Sequence, residues 1–285
     1  MKQEYILKEK ENGEIVTVRE MQLAVLDIMD EIHRICEKNN IKYALIAGSA
    51  LGVLNYKGFI PWDDDIDICI ERKDWSRFID ALKKDLNADF YFQCFETDHM
   101  YFPFNPLMKI RKRGTYHEEI NTLIRNRCKS GDGVYVDVVI YDHVADNKLI
   151  DELYHLPIRL LMIPTMILHN FNLKATHIKK WCLWWDKHYS NKYKNSNTIS
   201  QSAMIPWEKP FKAPAFKKED VLPFRLYEFE GRKFYSYNNI PNIVSKWYGP
   251  QCYRKNMNEE WIETLPVEKR KPKHTKDINL HGETK

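Results

Sequence analysis

No run of this sequence is long and apolar enough to cross a bilayer. The most apolar stretch, Leu156 to Leu168, is interrupted by Pro157, Arg159 and Pro164 and falls short of the roughly 20 residues that a span requires. Nor is a secretory leader expected of the start, since Met1-Lys2-Gln3-Glu4-Tyr5 has mixed charge and no apolar core before a cleavage site. The chain is therefore expected in the cytoplasm. Its six cysteines, Cys36, Cys69, Cys94, Cys128, Cys182 and Cys252, lie far apart with no C-x-x-C pair and read as buried thiols of a reducing compartment. A strong charge of one sign is also lacking: 44 Lys and Arg against 40 Asp and Glu leave +4, too balanced to indicate a nucleic-acid partner. No internal repeat is present.

What is present is globular. Hydrophobic residues make up 44% and aromatics 13%, which excludes wholesale disorder, and 285 residues suffice for one large domain with an appended region or two modest ones. Thr17-Val18-Arg19-Glu20 is a capping box, and Met21, Val25, Ile28, Ile32 and Ile35 follow at helical spacing up to Asn39-Asn40. Ile41 to Ala47 reads as a strand, Gly48-Ser49 as a tight turn and Ala50 to Asn55 as a short helix. Asp65-Ile66-Asp67-Ile68 alternates polar and apolar, so a strand there carries both carboxylates on one face. A helix carrying Trp75, Phe78, Ile79, Leu82 and Leu86, preceded by Asp74 as its candidate cap, and strands near Phe90 to Phe95, Leu107 to Arg111 and Gly133 to Ile140 come next. The fold class is α/β with a mixed sheet, in the α+β sense. Its parts are an N-terminal extension (1–16), a core (17–147), a helical, basic and aromatic segment (148–205), a C-terminal part (206–274) and a polar tail (275–285) expected to fray.

Three patterns carry chemistry. Gly48-Ser49, opening a helix, offers free amides and a hydroxyl to a phosphate, although an ordinary turn uses the same residues. Asp65 and Asp67 sit side by side and suit a divalent cation; four Asp within 63–67 repel one another unless a cation compensates them. Asp63 shares their parity and is a further candidate ligand, whereas Asp64 faces away. Asp137 lies amid Val134, Val136, Val138, Val139 and Ile140, where an unpaired acid is costly. It is either a third ligand, the base for an acceptor hydroxyl, or a buried cap on a neighbouring loop. Lys109 and Arg111 share a face of their strand and either hold donor phosphates or stand as solvated edge charges. Lys57 either touches phosphate or caps its loop.

Gly48-Ser49-Ala50-Leu51-Gly52, followed by Lys57-Gly58-Phe59-Ile60-Pro61-Trp62-Asp63-Asp64-Asp65-Ile66-Asp67, resembles the LicD family of cholinephosphotransferases. So do Met108-Lys109-Ile110-Arg111 with Thr115, the Asp137 strand, Phe229-Glu230-Gly231, Tyr248-Gly249, and Pro266 through Lys269-Arg270 to His274. The chain departs from the family at Ala50, where Thr is usual, and at Asn55-Tyr56, where an Arg-His pair is usual. The resemblance implies a nucleotidyltransferase-like core with a helical and irregular C-terminal appendage. It also implies transfer of a phospho-alcohol, typically phosphocholine from CDP-choline or a related CDP-alcohol donor, to a glycan or lipid-linked glycan. Mg²⁺ or Mn²⁺ would be held by Asp65, Asp67, Asp137 and Asp63, and the aromatics Trp62, Tyr101, Phe102, Trp181, Trp184, Trp185, Trp247 and Tyr248 are candidates for a choline cage, although each is more often a core residue and none is singled out.

The same metal pattern also suits a nucleotidyltransferase that moves NMP from an NTP to a small molecule or protein; a non-catalytic glycan- or membrane-binding module is a third alternative. Leu153 to Tyr193 joins an apolar half to a lysine- and Trp-rich half, fitting either peripheral contact with the inner face of the cell membrane or a helical subdomain with a solvated lysine face.

Overall fold

The structure, a computed structural model, describes residues 5–9, 13, 15–104, 106–120, 124–204, 214–252 and 270–282. In chain order these form β1 (Ile6–Glu9), β2 (Ile15–Thr17), α1 (Val18–Lys38), β3 (Tyr43–Leu45), α2 (Ala47–Tyr56), β4 (Asp67–Glu71), α3 (Arg72–Asp85), β5 (Phe90–Cys94), β6 (Met108–Lys112) and β7 (Tyr116–Glu119). There follow β8 (Tyr135–Val144), α4 (Lys148–Asn170), α5 (Thr176–Lys192), β9 (Thr198–Gln201), β10 (Phe216–Lys217), α6 (Lys218–Val221), β11 (Arg225–Phe229), β12 (Arg232–Ser236), α7 (Ile240–Tyr248) and β13 (Thr275–Asn279). Nine strands make one mixed sheet, ordered β10-β9-β8-β4-β3-β12-β11. The β5–β6 hairpin joins it by pairing β6 with the first half of β8, while β9 takes the second half. β4 runs parallel to β8 and β3 to β12; the other pairs in this sheet are antiparallel.

Helix α1 starts at the capping box. The Glu20 amide donates to Thr17 Oγ1 (3.2 Å) and the Thr17 amide donates back to Glu20 Oε2 (2.7 Å). Its Met21, Val25, Ile28, Ile32 and Ile35 are all buried in the main core, together with Ile66, Ile68 and Ile70 from the β4 segment. α4 and α5 surround a second core built on Phe104, Leu107, Ile158, Cys182 and Met204. None of the six cysteines is paired; five are buried and Cys252 is half-buried.

Four expectations change. Gly48 and Ser49 are not a turn ahead of a helix at Ala50 but lie in the first turn of α2, which begins at Ala47. Asp65 precedes β4, which begins at Asp67, yet Ile66 already accepts a ladder bond from the Asp137 amide, so the alternation of faces extends back through it. Asp74 does not cap α3; that helix begins at Arg72, and Asp74 instead holds Arg77 (2.5 Å). The tail from 275 does not fray at its start, because β13 pairs antiparallel with β7. Its ladder is non-local and only Ile278 is buried, so nothing in the local pattern marks it as a strand. The N-terminal extension supplies the antiparallel β1–β2 hairpin. Residues 205–213 and 253–269, including the Pro266 and Lys269 of the family-like stretch, lie outside the described residues.

Candidate active site

Asp67 opens β4, and its register partner across the parallel pair is Asp137 of β8. Lys109 of β6 is the register partner of Asp137 on the other side. Two acids and a lysine thus stand in a row across three strands. Because Ile66 and Ile68 are buried in the core, Asp65 and Asp67 are directed to the opposite side of the segment. Helix α2 supports this row from behind: the Asp67 amide donates to Ser49 Oγ (3.2 Å), so Ser49 braces the carboxylates with its hydroxyl. Gly48 leaves room for Asp63, since a Cβ there would stand 2.8 Å from Asp63 Oδ2. Ala47, the first residue of α2, takes a left-handed φ of 48°, a costly conformation for a residue with a Cβ, at the bend into the site.

The loop that brings in the acids is clamped by Glu230 in the β11–β12 turn. Its carboxylate accepts from the Phe59 amide (3.2 Å) and from Arg19 (2.7 Å), and a Cβ on Gly58 would overlap its Oε1. Within the loop, Asp64 is fully buried and accepts from the amides of Lys273, His274 and Thr275 and from Thr275 Oγ1 (2.6 Å). Burial opposes its ionisation, but the hydrogen bonds from His274 and Thr275 prevail and hold it below the usual carboxylate range. Asp64 is an anchor for the C-terminal segment rather than a ligand.

That anchor brings in His274, some 210 residues along the chain from Asp64. Its Nδ1 lies 3.1 Å from Asp64 Oδ1 and 3.0 Å from Asp65 Oδ2. Burial opposes its charge, but the hydrogen bond to Asp64 and the nearby charges of Asp65, Asp64 and Asp67 push the imidazole up to about 10. The other acids move the opposite way to Asp64. Burial first, then mutual repulsion, raises Asp65 and Asp67 well above their usual range; burial raises Asp63 to about 7 against the pull of His274.

Asp137 is not left free as a ligand. Lys109 Nζ donates to it at 2.8 Å and to Glu119 at 2.9 Å, and lies 3.3 Å from the centre of the Tyr135 ring. Burial raises Asp137, while Lys109 resists the rise. Glu119 goes down to about 2, because the charges of Lys109 and Arg111 outweigh its burial.

A cavity of about 470 Å³ opens over Asp63, Asp65 and Asp67, with Gly48, Trp62, Tyr248 and His274 also in its wall. Tyr56, Lys271 and Lys273 border it too. Of the five residues expected at phosphate, only Gly48 borders this cavity; Ser49 and Lys109 are engaged by Asp67 and Asp137 as described, and the other two are elsewhere. Lys57 ends α2 in a left-handed turn and pairs with Glu228 (3.0 Å) on the exterior. Arg111 is buried, donating to Gln93 Oε1 (2.7 Å) and the Gly133 carbonyl (2.5 Å), so its alternation with Lys109 leads it into structure rather than to substrate. Asn55, at the family's usual arginine, donates to the Cys252 carbonyl (2.9 Å) and ties α2 to the chain after α7. Of the eight candidate cage aromatics, only Trp62 and Tyr248 border this cavity. His274 was missed as a site residue: it belongs to the stretch that resembles the family, but no local spacing pairs a lone histidine with acids so far away.

The donor set fits a hard divalent cation. Asp63, Asp65 and His274 each offer an atom within 4.8 Å of the others, and the acids, crowded and raised in the absence of an ion, are those that a cation would lower.

Residues 40–104 match the family model described as LicD/FKTN/FKRP, nucleotidyltransferase domain. The chain is 25% identical over 283 residues, 93% of its length and 98% of the relative's, to lipopolysaccharide cholinephosphotransferase LicD of Haemophilus influenzae. An uncharacterized protein of Rickettsia typhi is 41% identical over 60 residues, 21% of this chain and 19% of that one. One from Rickettsia prowazekii is 42% identical over 52 residues, 18% and 20% of the two chains. The family that the Gly48-to-Asp67 motif resembles is the one whose model matches residues 40–104, and the full-length relative carries the same family name.

Proposed function

We propose that this LicD-like transferase is a metal-dependent phosphotransferase that moves phosphocholine from CDP-choline to a hydroxyl of a cell-surface glycan of lipopolysaccharide, teichoic acid or capsule type. The observation that carries the reading is the crowded, mutually raised set of Asp63, Asp65 and Asp67 at the floor of a cavity, in a chain similar along its length to a lipopolysaccharide cholinephosphotransferase. Asp63 and Asp65, with Asp67 beside them, would hold Mg²⁺ or Mn²⁺, and His274 would join them only once the cation has displaced its proton. The bound cation supplies charge neutralisation for the phosphoryl oxygens. Lys271 and Lys273 meet the donor phosphates, the role the sequence suggested for Lys57 and Arg111. Tyr56, Trp62 and Tyr248 give the trimethylammonium group aromatic walls.

The acceptor oxygen attacks the phosphorus that bears choline, the bond to CMP breaks in line, and the acceptor proton passes to Asp137. Burial makes Asp137 a stronger base than an exposed carboxylate, and Lys109 fixes its orientation. The test is incubation with Mg²⁺, CDP-choline and a glycan acceptor. CMP release and a glycan heavier by phosphocholine are expected, and Asp65→Asn or Asp67→Asn should lower the rate by about a thousandfold or more without lowering the unfolding temperature. Pyrophosphate release from an NTP, with CDP-choline left intact, would overturn the reading.

A further inference from the structure

Helix α4 is turned inside out for a helix on a water-facing surface. From Leu149 to Ile167 every exposed residue is Leu or Ile: Leu149, Ile150, Leu153, Leu156, Leu160, Ile163 and Ile167. Apart from Ile150 they recur at steps of four and three, so they form one stripe about 27 Å long. The polar side chains face inward instead. Asp151 accepts from Tyr189 (2.5 Å), Glu152 pairs with Arg159, and His169 bonds the Arg125 carbonyl (2.8 Å). A solvated helix places these groups the other way round, because each buried charge needs a partner and each exposed leucine orders water.

The turn after α4 and the outer face of α5 continue the surface in a different chemistry. Phe171 is 75% exposed and Trp184 56%, with Trp181 beside it. Lys148, Lys174, Lys180, Lys187, Lys192 and Lys194 are exposed around them. The only acids between 148 and 194 are Asp151, Glu152 and Asp186, and all three are buried. The α4–α5 hairpin therefore shows solvent an apolar stripe, two tryptophans and cations, with no exposed carboxylate.

We infer that this face docks the protein on the surface of an anionic lipid bilayer, with the α4 stripe in the acyl boundary, the tryptophans at headgroup level and the lysines on the lipid phosphates. Charge complementarity selects lipid over a second copy of the chain. A helix partner seated on a leucine stripe is normally registered by flanking charges of both signs, and this face has only one. Pro157 and Pro164 within α4 also disfavour a long straight seam. The last turn of α4 reaches, through His169, a cavity whose wall also includes Lys109, the partner of Asp137, and Glu119.

The experiment is sedimentation of the full chain with vesicles of phosphatidylcholine alone or with about a third phosphatidylglycerol. Binding to the anionic vesicles is expected to be about tenfold or more tighter than to the neutral ones and to weaken with salt. The triple variant Leu153→Gln, Leu160→Gln, Ile163→Gln should lose about tenfold or more of that binding while its unfolding temperature and its transfer to a water-soluble acceptor stay unchanged. Lys180→Glu with Lys187→Glu should remove the preference for anionic lipid. Three results would overturn the inference: no sedimentation with either vesicle, equal binding by the triple variant, or a wild-type dimer that the triple variant splits without any lipid binding. None of them depends on whether the chain transfers phosphocholine.

Discussion

Asp63 sits among forces that do not cancel: burial raises its pKa, His274 lowers it, and Asp64 and Asp67 raise it again, to about 7 in the absence of an ion. A carboxyl group whose folded value lies above its unfolded value binds more protons in the native state. Its contribution to stability is thus complete below pH 4 and is lost as pH rises towards 7. Asp63→Asn removes that loss. In metal-free protein its unfolding temperature should pull ahead of the wild type between pH 5 and 7.5, by an amount worth about 1–3 kcal/mol after allowing for solvent at the cavity. Millimolar Mg²⁺ or Mn²⁺ should close the gap by stabilising only the wild type. Thermal melts over this pH range, with and without metal, measure it; a gap that does not grow with pH would remove Asp63 from the cation cluster.

At the scale of elements, β13 owes its place to one side chain. Asp64 gathers three amides, a hydroxyl and an imidazole from residues 273–275, and β13 then pairs with β7. Asp64→Ala leaves these donors without an acceptor and should cost about 2–4 kcal/mol. Amide exchange should quicken in β13 before it does in α1, and transfer should fall because His274 is no longer held against Asp65. Retained protection in β13 with full activity would refute this role. The sequence signals of α1 and β13 differ for a physical reason. A capping box and a 3.6-residue apolar period act within one segment, whereas Thr275–Asn279 becomes a strand only because β7 and Asp64 are already in position.

For the molecule as a whole, the question is what fixes the α4–α5 hairpin to the sheet. Arg72, at the start of α3, donates to Asp142 of β8 (2.7 Å) and pairs with Asp186 of α5, while Ser202 and Ser190 donate to the same two acids. Both acids are buried, so Arg72→Met would strand two charges and should destabilise by about 3–5 kcal/mol, measured by denaturant unfolding. A loss below about 1 kcal/mol would show that the second core alone holds the hairpin.

Much of this protein is written locally. Composition and the Gly48-to-Asp67 motif determined the α+β class, the resemblance to the LicD family and the side of the strand on which Asp65 and Asp67 stand, because alternation around Ile66 and Ile68 needs no distant partner. Tertiary structure alone decided which charges meet. It paired Lys109 with Asp137, sent Arg111 into the core and Lys57 to the exterior, and drew His274, Lys271 and Lys273 to the acids from the far end of the chain. It also decided which way α4 faces: an alternation of polar and apolar residues fixes that a helix has two faces, but only the packing of its neighbours determines which one meets the outside.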